Sequence, residues 1–265
     1  MRVRSLGYRT DLIFPAFLGR IIDRGSYLVV QTPENPAYYW GNFLLFSDPP
    51  RLGDFDRWTD LFAREVGGPP AIQHQAFGWD SPEGDQGTVG PFLEAGFRMD
   101  RSTVLTCGAP NPPLKRSGSI EIRPLESEAE WEQALDLQVL SREPEFEESA
   151  YRDFRDREMV RYRRMVAAGL GAWYGAFDGG DLLGDLGIFT EHGLGRYQSV
   201  EVHPEARRQG IGGTLVYEAG LHAMDRHDLS TLVIVADEGS AAARLYSGLG
   251  FKPTEVQVGL ERRPR

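Results

Sequence analysis

Residues 200–213 read VEVHPEARRQGIGG, and the architecture is inferred most directly from them. Alternating valines precede a proline, after which two arginines lead into a cluster of glycines. The pattern predicts a strand, a glycine-rich loop and the first turn of a helix. In such a loop the backbone N–H groups can converge on one point, while the helix N-terminus and the arginines add positive charge. We therefore predict a diphosphate site, with an ordinary glycine-rich turn as the alternative.

Two common phosphate-binding motifs do not fit the segment that begins at Gly210. A Walker loop needs Gly-Lys-Ser or Gly-Lys-Thr, and a dinucleotide fingerprint needs the spacing G-x-G-x-x-G with an acidic residue downstream. The sequence GIGGTL at 210–215 meets neither requirement. The segment is therefore assigned to neither of these two nucleotide-binding classes.

The flanking sequence predicts an α/β (α+β) fold with a mixed, mostly antiparallel sheet flanked by helices. A capping box opens one helix, and a three-stranded meander leads into the glycine loop. The helix at 149–168 carries six arginines, which we interpret mainly as a solvated face. The strands of this half are predicted at 119–124, 172–177, 182–189, 197–202, 231–236 and 255–260. Its helices are predicted at 127–142, at 149–168, from the glycine loop to about 226, and at 240–249.

A second motif, ARLYSGLGF at 243–251, follows downstream. Together with V-x-V-x-P and R-x-x-G-x-G, it resembles the GNAT superfamily of acyl-CoA-dependent N-acyltransferases over residues 119 to about 261. The resemblance implies that backbone groups of Val200 and Val202 pair with the pantetheine arm of coenzyme A, and that the acyl group lies between parting strands. It also implies a pyrophosphate-binding loop formed by Arg207, Arg208, Gln209, Gly210, Ile211, Gly212 and Gly213. One departure is Gly239, which stands where many members carry an asparagine and puts one cofactor contact in doubt.

Transfer of an acyl group to an amine needs a route for the ammonium proton and a proton donor for the leaving thiolate. Tyr246 is the predicted donor, because a phenol with a pKa of about 10 stays protonated at neutral pH; the alternative is a tyrosine packed in the core. Glu201 is the candidate base, because strand alternation sends it to the face opposite its two valine neighbours. A solvated strand residue is an equally good interpretation of Glu201, and His192 and His203 are further candidates for the base.

The first half repeats this architecture in degenerate form. A strand at 38–46, a helix at 55–66 and a strand at 71–77 precede FLEAGF at 92–97. That motif parallels YSGLGF at 246–251 in its aromatic residue, its glycine and its final phenylalanine. The parallel predicts two acyltransferase-like folds in tandem.

The segment 47–54, where the second half has its glycine loop, contains Asp48 and Asp54, and Phe92 replaces the motif tyrosine. We therefore expect the first half to bind no pyrophosphate. The predicted domains are a degenerate acyltransferase-like domain at 1–110, a linker at 111–118 and a catalytic domain at 119–265. The first domain is expected to cover the active half and to shape the acceptor cleft. The aromatic residues of its segment 38–43 and Trp79 either line that cleft or, as we favour, pack in the core.

Composition narrows the class of function. The 265 residues carry a formal net charge of −10, which argues against general nucleic-acid binding. One cysteine, Cys107, and five scattered histidines form no ligand cluster at metal spacing, so we expect no metal. The sequence contains no apolar run long enough to span a membrane and no secretory signal, so we expect a cytoplasmic protein without a membrane partner.

These features together predict an N-acetyltransferase that uses acetyl-CoA as co-substrate. The acetyl group would pass to a primary amine of a small molecule or peptide by direct attack in a ternary complex. The alternative is a catalytically inactive acyl-CoA-binding regulatory module. We expect a small-molecule amine acceptor and either a monomer or a homodimer.

Overall fold

The computed structural model describes residues 1–118 and 120–264. Ser119, at which the second predicted domain begins, and Arg265 lie outside the described residues. The helices are α1 (Leu6–Asp11), α2 (Ile13–Leu18), α3 (Asp54–Glu65), α4 (Gly90–Glu94), α5 (Glu128–Leu140), α6 (Glu148–Ala167), α7 (Ile211–His227) and α8 (Ala241–Gly248). The strands are β1 (Arg20–Asp23), β2 (Tyr27–Gln31), β3 (Phe43–Phe46), β4 (Gln75–Trp79), β5 (Arg98–Cys107), β6 (Glu121–Pro124), β7 (Gly171–Asp178), β8 (Asp181–Glu191), β9 (Leu194–Val202), β10 (Thr231–Asp237) and β11 (Lys252–Arg262).

The chain divides into two compact units, one formed by Met1–Val104 with Thr254–Arg265 and the other by Leu105–Pro253. This division differs from the predicted domains in two respects. The linker predicted at 111–118 belongs to the second unit, and most of β11 belongs to the first unit instead of closing the second. The reason is strand pairing, because β11 runs antiparallel to β4 of the first unit over residues 259–262.

The first unit is built on a sheet with the strand order β1-β2-β3-β4-β11-β5. The strands β1, β2 and β3 form an antiparallel meander, whereas β3 and β4 are parallel. The core is aromatic: Trp58 of α3 stacks on Phe46 with ring centroids 3.7 Å apart and contacts Phe77 edge-on. Phe43 and Trp79 are buried as well. The core interpretation therefore holds for Phe43 and Trp79, whereas Tyr38, Tyr39 and Trp40 of the same predicted set are only partly buried.

The strand predicted at 38–46 is wrong in its first part. Tyr39–Gly41 forms a 3₁₀ turn, and only Phe43–Phe46 is extended. Asn42 holds the turn, because its buried amide group accepts one backbone N–H bond and donates to two backbone carbonyl oxygens. A side chain that satisfies three backbone groups locally favours a loop over a continued strand.

Other parts of the first unit agree with the sequence to different degrees. The helix predicted at 55–66 is confirmed as α3, which starts and ends one residue earlier. The strand predicted at 71–77 is displaced toward the C-terminus as β4. The helices α1 and α2 and the hairpin β1–β2 were not predicted, because their short segments carry too few residues for periodicity to emerge.

The second unit is a sheet with the order β10-β9-β8-β7-β6. Among the described strand pairs of this unit, β9–β10 is parallel and the other three are antiparallel, so the predicted mixed and mostly antiparallel sheet is confirmed. Strand alternation divides the side chains between two layers. Ala172 and Tyr174 of β7 pack in the core that contains α7. Trp173 points to the other face and stacks on Tyr162 of α6, with ring centroids 4.8 Å apart.

The helix α5 starts with the predicted capping box. The Ser127 hydroxyl accepts a hydrogen bond from the Glu130 backbone N–H at 3.3 Å, and the Glu130 carboxylate accepts one from the Ser127 N–H at 3.0 Å. Two helix-end donors are thereby satisfied, which fixes the point where the chain turns from β6 into α5.

The arginines of α6 do not all lie on a solvated face, which corrects the interpretation made from the sequence. Arg155 and Arg161 are buried against the sheet. Arg161 forms an ion pair with the buried Glu158, and Arg155 donates to the side chain of Gln138 on α5. Buried polar partners from neighbouring turns and helices therefore stabilise Arg155 and Arg161 in positions that the helical pattern alone assigns to solvent.

The same local geometry recurs in both units around the helix that follows the parallel-paired strand. The segments β3, α3 and β4 of the first unit correspond to β9, α7 and β10 of the second, and in each case the flanking strands are parallel. Gly53 caps α3 with φ 88° and ψ −5°, and Gly210 caps α7 with φ 92° and ψ −3°. Both conformations lie in the left-handed region, which favours glycine.

A second pair of matching turns follows α4 and α8. Gly96 and Gly250 have φ values of 86° and 90°. The phenylalanine after each glycine donates its backbone N–H to the carbonyl of the motif aromatic residue, Phe92 at 3.0 Å and Tyr246 at 3.1 Å. These matched turns confirm that the first half is a degenerate second copy of the fold.

Within residues 1–118 and 120–264, no helix combines the length and the apolar character that crossing a membrane requires.

Candidate functional site

The strands β9 and β10 separate after a short paired segment. Their register covers three residue pairs and ends at Arg196 opposite Val233. Both strands continue, β9 to Val202 and β10 to Asp237, with no further pair between them in the described chain. The second half of β9 therefore has an unpaired edge on this side, and such an edge offers N–H and C=O groups to an extended ligand. This is the strand separation that the resemblance implies.

A bulge in β9 lies at the start of this free edge. The register against β8 shifts between Asp185 and Gly187, so that two residues of β9 face one residue of β8. Ser199, in the bulge, has a φ of 50°, and its carbonyl oxygen accepts a hydrogen bond from Gln138 Nε2 at 3.1 Å. The bulge sets the direction of the three residues that follow, and no feature of the sequence pattern predicted it.

Strand alternation after the bulge places the predicted residues as expected. Val200 and Val202 pack against the core that contains α7. Glu201 points to the opposite face, where it lies directly across from Asp185 of β8. The assignment of Glu201 to the face opposite the valines is therefore confirmed by geometry, while its role as a base stays a prediction.

The glycine loop joins β9 to α7 and leaves backbone N–H groups available. Among residues 1–118 and 120–264, no protein acceptor takes up the N–H groups of residues 208–213. The first three N–H groups of any helix lack partners within the helix, and they point along its axis away from it. Here they belong to Ile211, Gly212 and Gly213. A loop with these free donors at a helix N-terminus fits an anionic ligand.

A cleft of about 750 Å³ lies where the free edge of β9, the glycine loop and α8 meet. Among the described residues that line it, Lys115, Arg207, Arg208 and Arg244 are basic and Glu201 alone is acidic. The chain as a whole has a net charge of −10, so this cleft is a local basic site on an acidic protein. The remaining lining residues are small or apolar: Pro113, Leu114, Val200, Val202, Ala206, Gly210, Ile211, Gly212, Gly213, Ala241, Ala242, Leu245, Tyr246, Gly248 and Leu249.

Tyr246 lies on α8 and lines this cleft with 5% of its surface exposed. Burial raises the pKa of its phenol above the usual value, and the negative charge of Glu201 raises that pKa further. The hydroxyl therefore stays protonated across the physiological range. The side chain is part of the hydrophobic core and also borders the cleft, so the two interpretations of Tyr246 made from the sequence hold together.

Glu201 has a raised pKa for the same main reason. Burial disfavours its ionised form, while the positive charges of Arg155 and Arg207 partly offset that effect. A carboxyl group with a pKa nearer neutrality can exchange a proton more readily under working conditions.

A buried polar network lies beside Glu201. Asp185 has no exposed surface and accepts hydrogen bonds from Trp173 Nε1 and Gln138 Nε2, both at 2.8 Å. Burial raises the pKa of Asp185 to about 8, although these two hydrogen bonds lower it and the charge of Glu201 adds to the increase. Arg155 donates to the other end of the Gln138 amide. Periodicity could not reveal this network, since Asp185 and Gln138 come from elements far apart in the chain.

Three predicted residues lie outside the cleft. His192 is in the β8–β9 turn, at the end of β9 opposite to Glu201. His203 follows β9 directly and donates its backbone N–H to Leu183 O, but it does not line the cleft. Gln209 also lies outside the cleft lining, and its amide Nε2 donates to the carbonyl of Glu205 at 3.2 Å.

Gly239, at the position of the expected asparagine, precedes α8 with a φ of 72°. Its conformation accounts for a glycine there, since left-handed backbone is tolerated mainly by glycine and asparagine. A side chain at this position would meet no atom within 4 Å. Gly239 therefore contributes no side-chain contact at this point.

The corresponding loop of the first unit is closed by its own side chains. Asp54 accepts a hydrogen bond from the Arg51 backbone N–H at 2.8 Å and forms an ion pair with Arg57 at 2.8 Å. The small cleft beside it measures about 240 Å³ and has as many aspartates as arginines in its lining. Both arginines beside this loop are thus paired with an aspartate, Arg51 with Asp48 and Arg57 with Asp54.

The residues of 1–118 and 120–264 contain no group of three metal-ligating side chains. The polar groups that the cleft of the second unit offers to a ligand are therefore backbone donors, basic side chains and a buried phenol.

Residues 170–253 match the family model described as acetyltransferase (GNAT) domain. No curated protein matches the sequence.

Several solved structures share the fold. A functionally unknown conserved protein from Staphylococcus epidermidis ATCC 12228 has a TM-score of 0.71 at 16% identity, covering 94% of this chain and 96% of its own. A GCN5-related N-acetyltransferase from Kribbella flavida has a TM-score of 0.65 at 15% identity, covering 99% and 97%. A tandem GNAT protein from the clavulanic acid biosynthesis pathway has a TM-score of 0.53 at 17% identity, covering 83% and 73%. At these identities the neighbours establish the fold.

Proposed function

We propose that this protein is an acetyl-CoA-dependent N-acetyltransferase. The proposal starts from the match of residues 170–253 to the GNAT acetyltransferase domain. The acceptor would be the primary amine of a small molecule or peptide, attacking the thioester directly in a ternary complex. Acetyl-CoA is a co-substrate in this scheme, and its site is the cleft of the second unit.

The observation that carries the proposal is the set of free donors in that cleft. The unbonded N–H groups of the loop and of the first turn of α7 lie beside arginine and lysine side chains, while the rest of the chain is acidic. Such donors fit a diphosphate, because charge-assisted hydrogen bonds to phosphate oxygens are among the stronger polar contacts. The free edge of β9 from Gln198 to Val202 fits the amide groups of a pantetheine arm.

The chemistry assigns one step to each of two residues. The amine nitrogen attacks the thioester carbon, so a C–N bond forms and the C–S bond breaks. Tyr246 would donate its phenolic proton to the departing sulfur. Glu201 would accept the proton released from the nitrogen, directly or through a water molecule. Holding both reactants in one cleft adds to the rate, since effective molarities of about 10⁵ M or more are known for oriented reactants.

A thiol-release assay tests the proposal. The full chain is incubated with acetyl-CoA and a panel of polyamines, amino acids, aminoglycosides and peptides with free N-termini. We expect acceptor-dependent release of free thiol and acetylation of the amine, measured by mass spectrometry. Coenzyme A binding without thiol release for any acceptor would instead support the regulatory acyl-CoA-binding module.

A further inference from the structure

The segment that joins β5 to β6 forms one wall of the cleft. We call residues 113–117 the strap; three of them, Pro113, Leu114 and Lys115, line the cleft together with the glycine loop. The strap is attached to α7 at several points. The Ser117 backbone N–H donates to Thr214 Oγ1 at 3.2 Å, and the guanidinium of Arg116 lies 5.0 Å from the ring centre of Tyr217.

The strap lies so close to the glycine loop that it accounts for two of the loop's glycines, Gly210 and Gly213. A Cβ atom at Gly210 would sit 2.6 Å from the carbonyl oxygen of Lys115, and one at Gly213 would sit 3.2 Å from Cβ of Pro113. The third glycine is different, because a Cβ at Gly212 would meet Val202 of β9. The glycines therefore serve both the approach of the strap and the shape of the cleft.

Lys115 brings a positive charge to the loop from outside the family motif. Its ammonium group donates to the carbonyl oxygen of Arg208 at 2.8 Å, in an exposed position. A neutral, solvent-exposed acceptor holds an ammonium group weakly, whereas a phosphate oxygen holds it by a charge-assisted hydrogen bond. The ammonium group can turn from the carbonyl to a phosphate by rotation of its flexible side chain.

From this geometry we infer that the strap is part of the co-substrate site and that Lys115 binds a phosphate group of the bound acyl-CoA. The inference rests on the proposed function, because it takes the cleft to be the coenzyme A site. It adds a binding residue that the loop motif does not contain. It also gives the strap, which the sequence predicted to be part of a linker, a role in ligand binding.

Binding measurements on the full-length chain test this inference. Lys115→Met keeps the apolar stem and removes the charge; Lys252→Met is the matched control, since Lys252 is the only other lysine and is exposed on β11. Two probes are compared by isothermal titration, coenzyme A and pantetheine, which lacks the phosphates. We expect Lys115→Met to weaken coenzyme A binding by about tenfold, to weaken its salt dependence, and to leave pantetheine binding unchanged.

The outcomes separate this inference from the proposed function. A loss of affinity for both probes, or a drop in the melting temperature of the free chain without a change in the ratio of the two affinities, would assign Lys115 a purely structural role and overturn the inference. Unchanged or tighter coenzyme A binding in Lys115→Met would overturn it as well. If the wild-type chain binds no coenzyme A, the proposed function fails together with the inference.

A footprint of the lysine side chains provides an independent readout. An amine-reactive acetylating reagent is applied with and without coenzyme A, and peptide masses report the labelling of each lysine. We expect coenzyme A to protect Lys115 and to leave Lys252 reactive. Equal labelling of Lys115 in both conditions would contradict its contact with the ligand.

Discussion

Tyr246 combines burial with a place at the edge of the cleft, and this combination suits a proton donor. Its raised pKa keeps the phenol protonated at neutral pH, so its O–H is available to the sulfur as the C–S bond breaks. We predict that Tyr246→Phe lowers kcat by about 10²- to 10⁴-fold, the usual contribution of one general acid. Coenzyme A affinity should be unchanged, because the substitution removes one hydroxyl group only.

The control for this prediction is Tyr174→Phe, the same change at a buried tyrosine of the same unit that does not line the cleft. It should retain kcat. Near wild-type turnover in Tyr246→Phe, with the chemical step shown to limit the rate, would remove Tyr246 from the mechanism.

Protonation of the Glu201 carboxylate is expected to set the acidic limb of the kcat/KM pH profile. A base works when deprotonated, so kcat/KM falls as the pH drops through the pKa of Glu201. Because burial raises that pKa, the fall should begin at a higher pH than for an ordinary glutamate. We predict that Glu201→Gln loses this limb when both enzymes are assayed with the same acceptor, whereas Glu191→Gln, at the exposed end of β8, keeps it. An acidic limb that persists unchanged in Glu201→Gln would show that another group is the base.

The buried carboxyl group of Asp185 is expected to make the free energy of unfolding depend on pH. Its pKa is raised to about 8 in the folded chain, above the value of 3.8 for a free aspartate, so the folded state holds a proton that the unfolded state releases. The stabilising contribution is therefore complete below the unfolded value and is lost as the pH rises toward about 8. The slope is about 1.4 kcal/mol per pH unit for one such group.

We predict that the unfolding free energy of the wild-type chain falls between pH 5 and pH 8 and that Asp185→Asn removes this part of the slope. Denaturant titrations across that pH range measure it. The readout is the slope, which is independent of any fixed loss of stability caused by the substitution. Asp181→Asn, at the exposed start of β8, should keep the wild-type slope, and an unchanged slope in Asp185→Asn would contradict the assignment of the proton.

At the scale of elements, the gap between α7 and β9 depends on Gly212. A Cβ there would lie 3.3 Å from Cγ2 of Val202 and 3.6 Å from Cδ2 of Leu245, so alanine fits with a small adjustment. Valine would fill the gap and obstruct the loop donors. We predict that Gly212→Val weakens coenzyme A binding by about tenfold or more, equivalent to about 1.4 kcal/mol, while Gly212→Ala changes it much less. Equal affinities in the two variants, both folded by circular dichroism, would show that this gap holds no ligand.

The elements of the second unit could be predicted closely because each signal was local. The alternation of β9, the capping box of α5 and the glycine cap of α7 all act within a few residues, and the structure reproduces them. The bulge at Ser199 could not be predicted, since it is held by Gln138 from a helix about 60 residues earlier. The strap was assigned to a linker for the same reason, because its contacts with α7 depend on the tertiary fold.

The position of β11 shows a further limit of sequence patterns. Its alternation identifies a strand but carries no information on which sheet the strand joins. Its partner in the first unit is β4, where Gly259 lies opposite Gly78. Strand pairing over such a distance is decided by the packing of the whole unit, so the predicted boundary of the catalytic domain failed at this end.

At the scale of the whole molecule, two copies of one fold differ in what their loops can bind. The Gly53 and Gly210 caps have nearly identical backbone angles, so the difference lies in the side chains. Two aspartates pair with the two arginines beside the first loop, whereas four basic side chains and one glutamate line the cleft at the second loop. The proposed coenzyme A site therefore lies in the second unit alone, and the first unit is expected to have a different role.

Calorimetric titration of the intact chain with coenzyme A measures this assignment most directly. The predicted result is saturable binding of one molecule per chain, accompanied by a higher melting temperature, and loss of that binding in Gly212→Val. Two molecules per chain would contradict the assignment of a single site, and no binding at any concentration would contradict the reading of the second loop as a diphosphate site.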